Sequence, residues 1–335
     1  MRAALLCMAA LSLGWQSVSA AMERDPQHLN VSIALFDPGI PEDRSLHRDL
    51  QVFPRVRRIE ALYLPFVLRD LLVSAPAWGA VRVIPQVDAA AELLVSGTIL
   101  ASDGETLQLR LRAVDASGEV WVDDTFRGPQ QSLFADFAAS LLTARANRDA
   151  KALNNIIEIS SLRYALQLVP AAFDEYLEDS GDGRYRIRRL PARSDPMLER
   201  IERIRGVEYV FTDAIDAKFR ELSTDIDEVY KVWREYRQKY AYYQAQEAER
   251  IRNAKNSAPR GSFEAISGHY ETYKWDRQAA QEQEKWAIGF ENEMAPTISA
   301  IEARVAELEG WVADRYDEWR RILGEMFTLE TEVPI

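Results

Sequence analysis

The side chains that could carry out chemistry are few, and their spacing matches no established catalytic motif. The chain has three histidines, His28, His47 and His269, in unrelated contexts, and its single cysteine is Cys7. No HExxH, GxSxG, GxGxxG or Walker sequence is present. These absences argue against a two-histidine zinc site, a serine-hydrolase nucleophile and the common phosphate-binding loops. We therefore expect no catalytic residue, no metal and no cofactor, and we predict that the protein is not an enzyme.

Two acidic segments contain the residue types of a ligand site. Residues 178–183 (EDSGDG) resemble a calcium loop, but with Gly183 at the sixth position the twelfth falls on Arg189, where an EF-hand needs a glutamate. Asp123 and Asp124 are adjacent on a predicted strand, whose alternation sends their carboxylates to opposite faces. We interpret the first segment as a plain turn and the second as a solvated strand edge.

Aromatic residues at helical spacing are the strongest candidate for a binding surface. Residues 222–252 have the periodicity of a long helix, with Ile226, Tyr230 and Trp233 on one stripe. Core packing accounts for such a stripe, but Tyr242 and its neighbours cover more of the helix circumference than one buried stripe requires. Tyrosine and tryptophan dominate the hot spots of protein interfaces. We therefore predict a partner-binding site at four tyrosines, Tyr236, Tyr240, Tyr242 and Tyr243.

The amino terminus has the three parts of a secretory signal peptide. Arg2 supplies the positive charge, residues 3–13 are apolar, and Val-Ser-Ala precedes Ala21. We predict cleavage near Ala20, which gives a periplasmic or secreted protein without cysteine. Lipidation at Cys7 is the alternative, but a lipobox needs a small residue where Leu6 stands.

The net charge and the length of the chain limit the classes of function that remain. The net charge is −12, which disfavours nucleic acid because phosphate binding depends on clustered lysine and arginine. No apolar run reaches the roughly 20 residues of a membrane-spanning helix. The 335 residues suffice for two domains, and we divide them into a signal peptide over 1–20, an α/β domain over 21–150 and a helical domain over 151–335.

The pattern before residue 150 predicts a small mixed sheet with helices. Residues 38–57 are polar and contain prolines, which indicates a loop, and the following helical pattern is interrupted by Pro65, where the helix should kink or begin. A second helical pattern after residue 130 predicts a helix over one face of the sheet. Alternation and turn residues predict strands over 31–36, 81–84, 93–101, 107–113 and 120–126.

This order resembles the small periplasmic α/β domain shared by the TolB amino-terminal-like domain, the curli-secretion lipoprotein and activators of peptidoglycan synthases. The resemblance covers residues 30–150 and is carried by "IALF", "VRVIP", "AELLVSGTIL" and "LQLRLRAVDASGEVWVDDTF". The chain departs from that group in lacking a lipobox, a propeller and helical repeats, and in its insert over 38–57. The resemblance implies a periplasmic binding or assembly role in a Gram-negative-type envelope.

The second half of the chain has a helical period almost throughout. One or two helices are predicted over 197–219, and long helices over about 222–252 and 297–327. The apolar seam of the last helix could cover the stripe at Ile226, Tyr230 and Trp233. We therefore predict an α+β protein whose small mixed-sheet domain is followed by an all-α helical bundle or long helical hairpin, with self-association through the carboxyl-terminal helices as a further expectation.

These patterns favour a non-enzymatic binding or assembly component of the bacterial cell envelope, with another envelope protein as its partner. Two alternatives stay open. One is a secreted hydrolase whose site is assembled from scattered carboxylates, and the other is a regulator of a peptidoglycan synthase. A carboxylate of strongly perturbed pKa inside a closed pocket would favour the hydrolase, whereas a broad exposed aromatic or acidic surface would favour the binding protein.

Overall fold

A mixed sheet lies at the centre of the amino-terminal half, as the sequence predicts. The structure is a computed structural model that describes residues 28–49, 52–84, 87–102, 106–192 and 195–257, with isolated positions between 274 and 329. The predicted signal peptide lies outside the described residues, as does most of the helix predicted over 297–327.

The sheet has five strands in the order β2-β1-β3-β4-β5. Strand β1 is parallel to β2 and β3, whereas β3, β4 and β5 form an antiparallel meander. The parallel pairs require crossover connections, and the antiparallel strands are joined by short turns. The strands are β1 Val31–Ala34, β2 Val81–Ile84, β3 Leu93–Ser102, β4 Leu107–Asp115 and β5 Val120–Gly128.

Two helices, α2 (Pro54–Val73) and α3 (Gln130–Ala146), cover one face of this sheet. Alternate residues of β4 are buried, including Leu109, because the strand has period 2 and only one of its faces is covered. Gly97 lies on the covered face, where a Cβ atom would meet the Phe36 ring at 2.8 Å. A glycine in the middle of β3 thus makes room for an aromatic core residue.

The segment predicted as a loop over 38–57 contains helical structure. A short helix, α1, spans Ser45–Asp49, and α2 begins at Pro54. Proline at the first helical position costs little because its missing N–H would have no partner in the helix. Pro65 lies inside α2 and is buried, so the prediction that the helix begins there is wrong. Burial of the surrounding apolar face holds the helix together across this proline.

Two more helices and a hairpin follow α3. Helix α4 spans Ala150–Leu168 and α5 spans Pro170–Phe173, after which β6 (Leu177–Asp179) and β7 (Tyr185–Ile187) pair antiparallel. Glu178 and Asp179 of the EDSGDG segment belong to β6, and Ser180–Gly183 lie in the turn of this hairpin. Among the described residues no group of three acidic, histidine or cysteine side chains could hold a metal ion.

A single helix, α6, spans Pro196–Ser257 and replaces the separate helices predicted over 197–219 and 222–252. Its 62 residues correspond to about 93 Å of length. No proline occurs between Met197 and Ser257, so nothing in the sequence forces a break. In the ranges that the structure describes, no helix is both long enough and apolar enough to span a membrane.

Helix α6 packs on the α/β half of the protein. Its contacts run in the opposite order to α2, because Asp216 pairs with Arg69 and Asp227 accepts a hydrogen bond from Tyr63. The two helices are therefore antiparallel. Tyr230 and Trp233 are buried in this seam, next to Tyr63 and Phe53. The described residues do not establish a separate carboxyl-terminal helical bundle, and the predicted packing against residues 297–327 lies outside them.

Candidate functional site

The four tyrosines predicted as a partner site all lie on α6. The structure describes the side chain of Tyr242, which is 61% exposed and accepts a hydrogen bond of 2.6 Å from Gln246 Nε2. The side chains of Tyr236, Tyr240 and Tyr243 lie outside the described part of the chain. Every described side chain between residues 238 and 253 is exposed. Tyr242 is therefore mostly exposed near this end of α6.

The residues that carry the family resemblance have a structural role in the β4–β5 turn. The Asp115 carboxylate accepts hydrogen bonds from the backbone N–H of Ser117 at 2.8 Å and from Trp121 Nε1 at 2.8 Å. Arg148 lies over the Trp121 ring, 4.1 Å from its centroid. Asp115 thus holds the β4–β5 turn and the Trp121 ring in place, and the spacing between these two residues follows from that geometry.

A buried polar cluster joins α2, β3 and α6. Glu60 is fully buried, and its Oε1 accepts hydrogen bonds from Ser102 Oγ at 2.5 Å and from Tyr230 Oη at 2.9 Å. Arg57 Nε lies 3.9 Å from Glu60 Oε2. Burial raises the pKa of the Glu60 carboxyl above its ordinary value, against the opposing effects of these hydrogen bonds and of Arg57. Burial also raises the pKa of the Tyr230 hydroxyl. The cluster fastens α6 to the sheet and is closed to solvent.

Glu60 should make the stability of the protein depend on pH. Because its folded-state pKa is raised, its contribution to the free energy of unfolding is fully present below about pH 4.3 and is lost as the pH rises through the folded-state value. We expect Glu60→Gln to flatten this fall, and urea unfolding at a series of pH values measures it. The exposed Glu178→Gln is the control and should keep the wild-type profile. Parallel profiles for wild type and Glu60→Gln would contradict the assignment.

Within the described ranges, two other carboxyls have raised pKa values, and both lie where α6 packs against its neighbours. Burial raises the pKa of Glu208, which accepts a hydrogen bond from Tyr164 Oη at 2.6 Å. Burial likewise raises the pKa of Asp216, whose carboxylate lies 2.8 Å from Arg69 Nη2. These carboxyls and Glu60 are part of helix packing contacts, so their raised pKa values result from the docking of α6.

A polar groove of about 600 Å³ lies on the other face of the sheet. It runs from the ends of β1 and β2 across β3 to β4 and β5. Strand register places Ser96 opposite Arg112 and Arg112 opposite Asp123. Asp124 pairs with Leu111, so strand alternation gives it the opposite face from Asp123. The polar residues that line the groove are Asp37, Ser96, Thr98, Arg110, Arg112 and Asp123.

The electrostatics of this groove suit binding better than acid–base chemistry. Arg110 donates from Nε to Asp123 Oδ1 at 2.9 Å and from Nη2 to Oδ2 at 3.2 Å. The hydrogen bond from Arg110 is the main cause that lowers the pKa of Asp123. A carboxylate held ionised in this way is a poor proton donor at neutral pH. The groove therefore offers fixed charges of both signs.

Comparison with known proteins finds no family model, curated protein or solved structure that matches the chain. The resemblance to the TolB-like domain therefore stays a prediction.

Sequence reasoning found neither the buried cluster nor the groove. The sequence does contain one indication of the groove, because Arg110 and Arg112 occupy polar positions of the alternating pattern on β4. Their partners Ser96 and Asp123 come from other strands and depend on register. Glu60 and Tyr230 are 170 residues apart, and no local pattern links them.

Proposed function

We propose that this protein is an exported, non-enzymatic binding or assembly component of the bacterial cell envelope that contacts another envelope protein through the outer part of α6. The observation that supports this most directly is the exposure of Tyr242 on a helix that continues past its seam with α2. An exposed tyrosine has a large apolar ring and a polar tip, which suits protein recognition. The signal-peptide pattern supports the location.

The positions of the perturbed carboxyls favour binding over hydrolysis. A hydrolase would need a carboxyl with a raised pKa next to substrate space. Glu60, whose pKa is raised, is fully buried in helix packing, and Asp123, which lines the groove, has a lowered pKa. Among the described residues, the carboxyls whose pKa values burial raises, Glu60, Glu208 and Asp216, thus lie in helix packing contacts and not in the lining of the groove.

Capture from envelope extracts tests this proposal. The mature wild-type protein should retain a specific envelope protein, and Tyr242→Ala should weaken that association about thirtyfold, which corresponds to about 2 kcal/mol for a hot-spot tyrosine. The melting temperature should stay unchanged because Tyr242 is mostly exposed. Amino-terminal sequencing of the exported protein checks cleavage near Ala20.

The matched control is Val210→Ala, which removes an exposed apolar side chain from another part of α6. It should leave the association unchanged. Equal capture by wild type and Tyr242→Ala would contradict the assignment of this surface. Early melting of Tyr242→Ala would instead show that the tyrosine belongs to the core.

A further inference from the structure

The groove on the open face of the sheet is a separate feature from the Tyr242 surface. Its polar residues lie on the strands in two neighbouring rows. In one row Asp37 forms a parallel bridge with Thr98, and Thr98 lies opposite Arg110. In the other, Ser96 lies opposite Arg112. Asp37 therefore stands at one end of the cleft and Arg110, Arg112 and Asp123 stand at the other, with the Ser96 and Thr98 hydroxyl groups between them.

The two arginines of the groove are engaged to different degrees. Arg110 forms a bidentate pair with Asp123, with bonds of 2.9 and 3.2 Å. Arg112 Nε is 3.5 Å from Asp123 Oδ2, at the limit of a hydrogen bond. The Arg112 side chain is 48% exposed. Arg112 therefore retains the fork of donors that fits a carboxylate, whereas the Nε–Nη2 edge of Arg110 is already paired with Asp123.

Asp37 is held in place at the other end of the groove. Its backbone N–H donates to the Gly97 carbonyl at 2.8 Å, and its carbonyl accepts from Ile99 N–H at 2.9 Å. Its Oδ1 accepts a hydrogen bond from Gly39 N–H at 2.9 Å. Gly39 has a φ of 58°, and a Cβ atom there would lie 1.9 Å from the Ile99 carbonyl oxygen, so only glycine fits. The position of this carboxylate is thus fixed by the backbone.

The separation of the strands that carry Asp37 and Arg112 indicates the size of the ligand. Asp37 follows β1 and Arg112 lies on β4, so one strand intervenes and the two backbones are roughly 10 Å apart across the sheet. An extended peptide of about three residues spans this distance. A volume of about 600 Å³ is typical of a small-ligand site.

We propose that this groove binds a short peptide segment that carries a carboxylate and an ammonium group about three residues apart. Arg112 receives the carboxylate with help from the Ser96 hydroxyl, and Asp37 receives the ammonium group. A phosphate dianion fits less well, because Asp37 and Asp123 add two negative charges to the lining. The same charges could come from the two ends of a free tripeptide or from acidic and basic side chains within a partner protein.

Calorimetric titration of the full-length mature protein with trialanine tests the proposal. Zwitterionic trialanine should bind saturably, and both its carboxyl-terminal amide and its N-acetyl form should bind at least about tenfold more weakly, since each lacks one charge-assisted hydrogen bond. Acetyl-Lys-Ala-Glu-amide separates the two sources. Tighter binding of this probe than of trialanine assigns the groove to a protein segment, and weaker binding assigns it to free peptides.

Arg112→Gln should weaken the binding of trialanine by about tenfold or more, because it removes the guanidinium fork. Arg127→Gln, which removes an exposed arginine of β5 outside the groove, is the matched control and should bind as wild type does. If Arg112→Gln fails to fold, Arg112→Lys keeps the charge, loses the fork and should still weaken binding. Absence of saturable binding to wild type, equal binding of the amide, or full affinity in Arg112→Gln would each overturn the proposal.

Discussion

Replacing Leu109 with aspartate is expected to unfold the protein. Leu109 has no exposed surface, and its neighbours across the sheet are Ile99 and Phe126. The change removes a buried apolar side chain, which costs about 2–5 kcal/mol, and places an unpaired carboxylate in the same space at further cost. The sum is comparable with the 5–15 kcal/mol by which domains are typically stable. Circular dichroism and urea unfolding would show the loss of the cooperative transition.

Gln108→Asp is the matched control for this change. It introduces the same side chain one position earlier on β4, on the face that carries the groove. Because this side chain is only partly buried, its carboxylate stays hydrated and the free energy of unfolding should change little. A Leu109→Asp protein as stable as the Gln108→Asp protein would show that the register or the buried face of β4 is wrong.

Trp233→Ala should detach α6 from the α/β half of the protein. The Trp233 ring is 5% exposed and meets the Phe53 ring edge to face, with centroids 5.5 Å apart. Truncating a buried tryptophan costs about 3–5 kcal/mol, because the lost contacts leave a cavity. Most of this loss should appear as opening of the α2–α6 seam. Hydrogen exchange of the backbone amides around Tyr230 measures it, together with the melting temperature.

Tyr242→Ala provides the contrast, since it truncates an aromatic residue further along the same helix that is 61% exposed. We expect its free energy of unfolding to change by no more than about 0.5 kcal/mol. Unchanged exchange and melting in Trp233→Ala would mean that the seam does not hold α6. Equal destabilisation by both variants would remove the distinction between a buried stripe and an exposed recognition surface.

The strands of the sheet could be predicted because each carries its own pattern. Alternation on β4 and the Asp–Gly turn before β5 depend on neighbouring residues, and the structure confirms the meander. The first and last residues of the helices were harder to predict from the sequence. Pro65 looked like a boundary because proline lacks an N–H, but tertiary packing of α2 outweighs that local cost.

The sequence by itself determined the mixed sheet, the helical character of much of residues 150–257, the hairpin turn at Ser180–Gly183 and the aromatic stripe of α6, because these follow from period and turn chemistry within a few residues. Only the tertiary structure decided that Tyr230 and Trp233 pack against α2, that Glu60 is buried beneath Tyr230, and that Arg112 shares a groove with Asp37. Such contacts join residues far apart in the chain, and no local pattern encodes which surfaces meet. Strand register and the docking of α6 decide which residues become partners, and burial in these contacts raises the pKa of carboxyls such as Glu60.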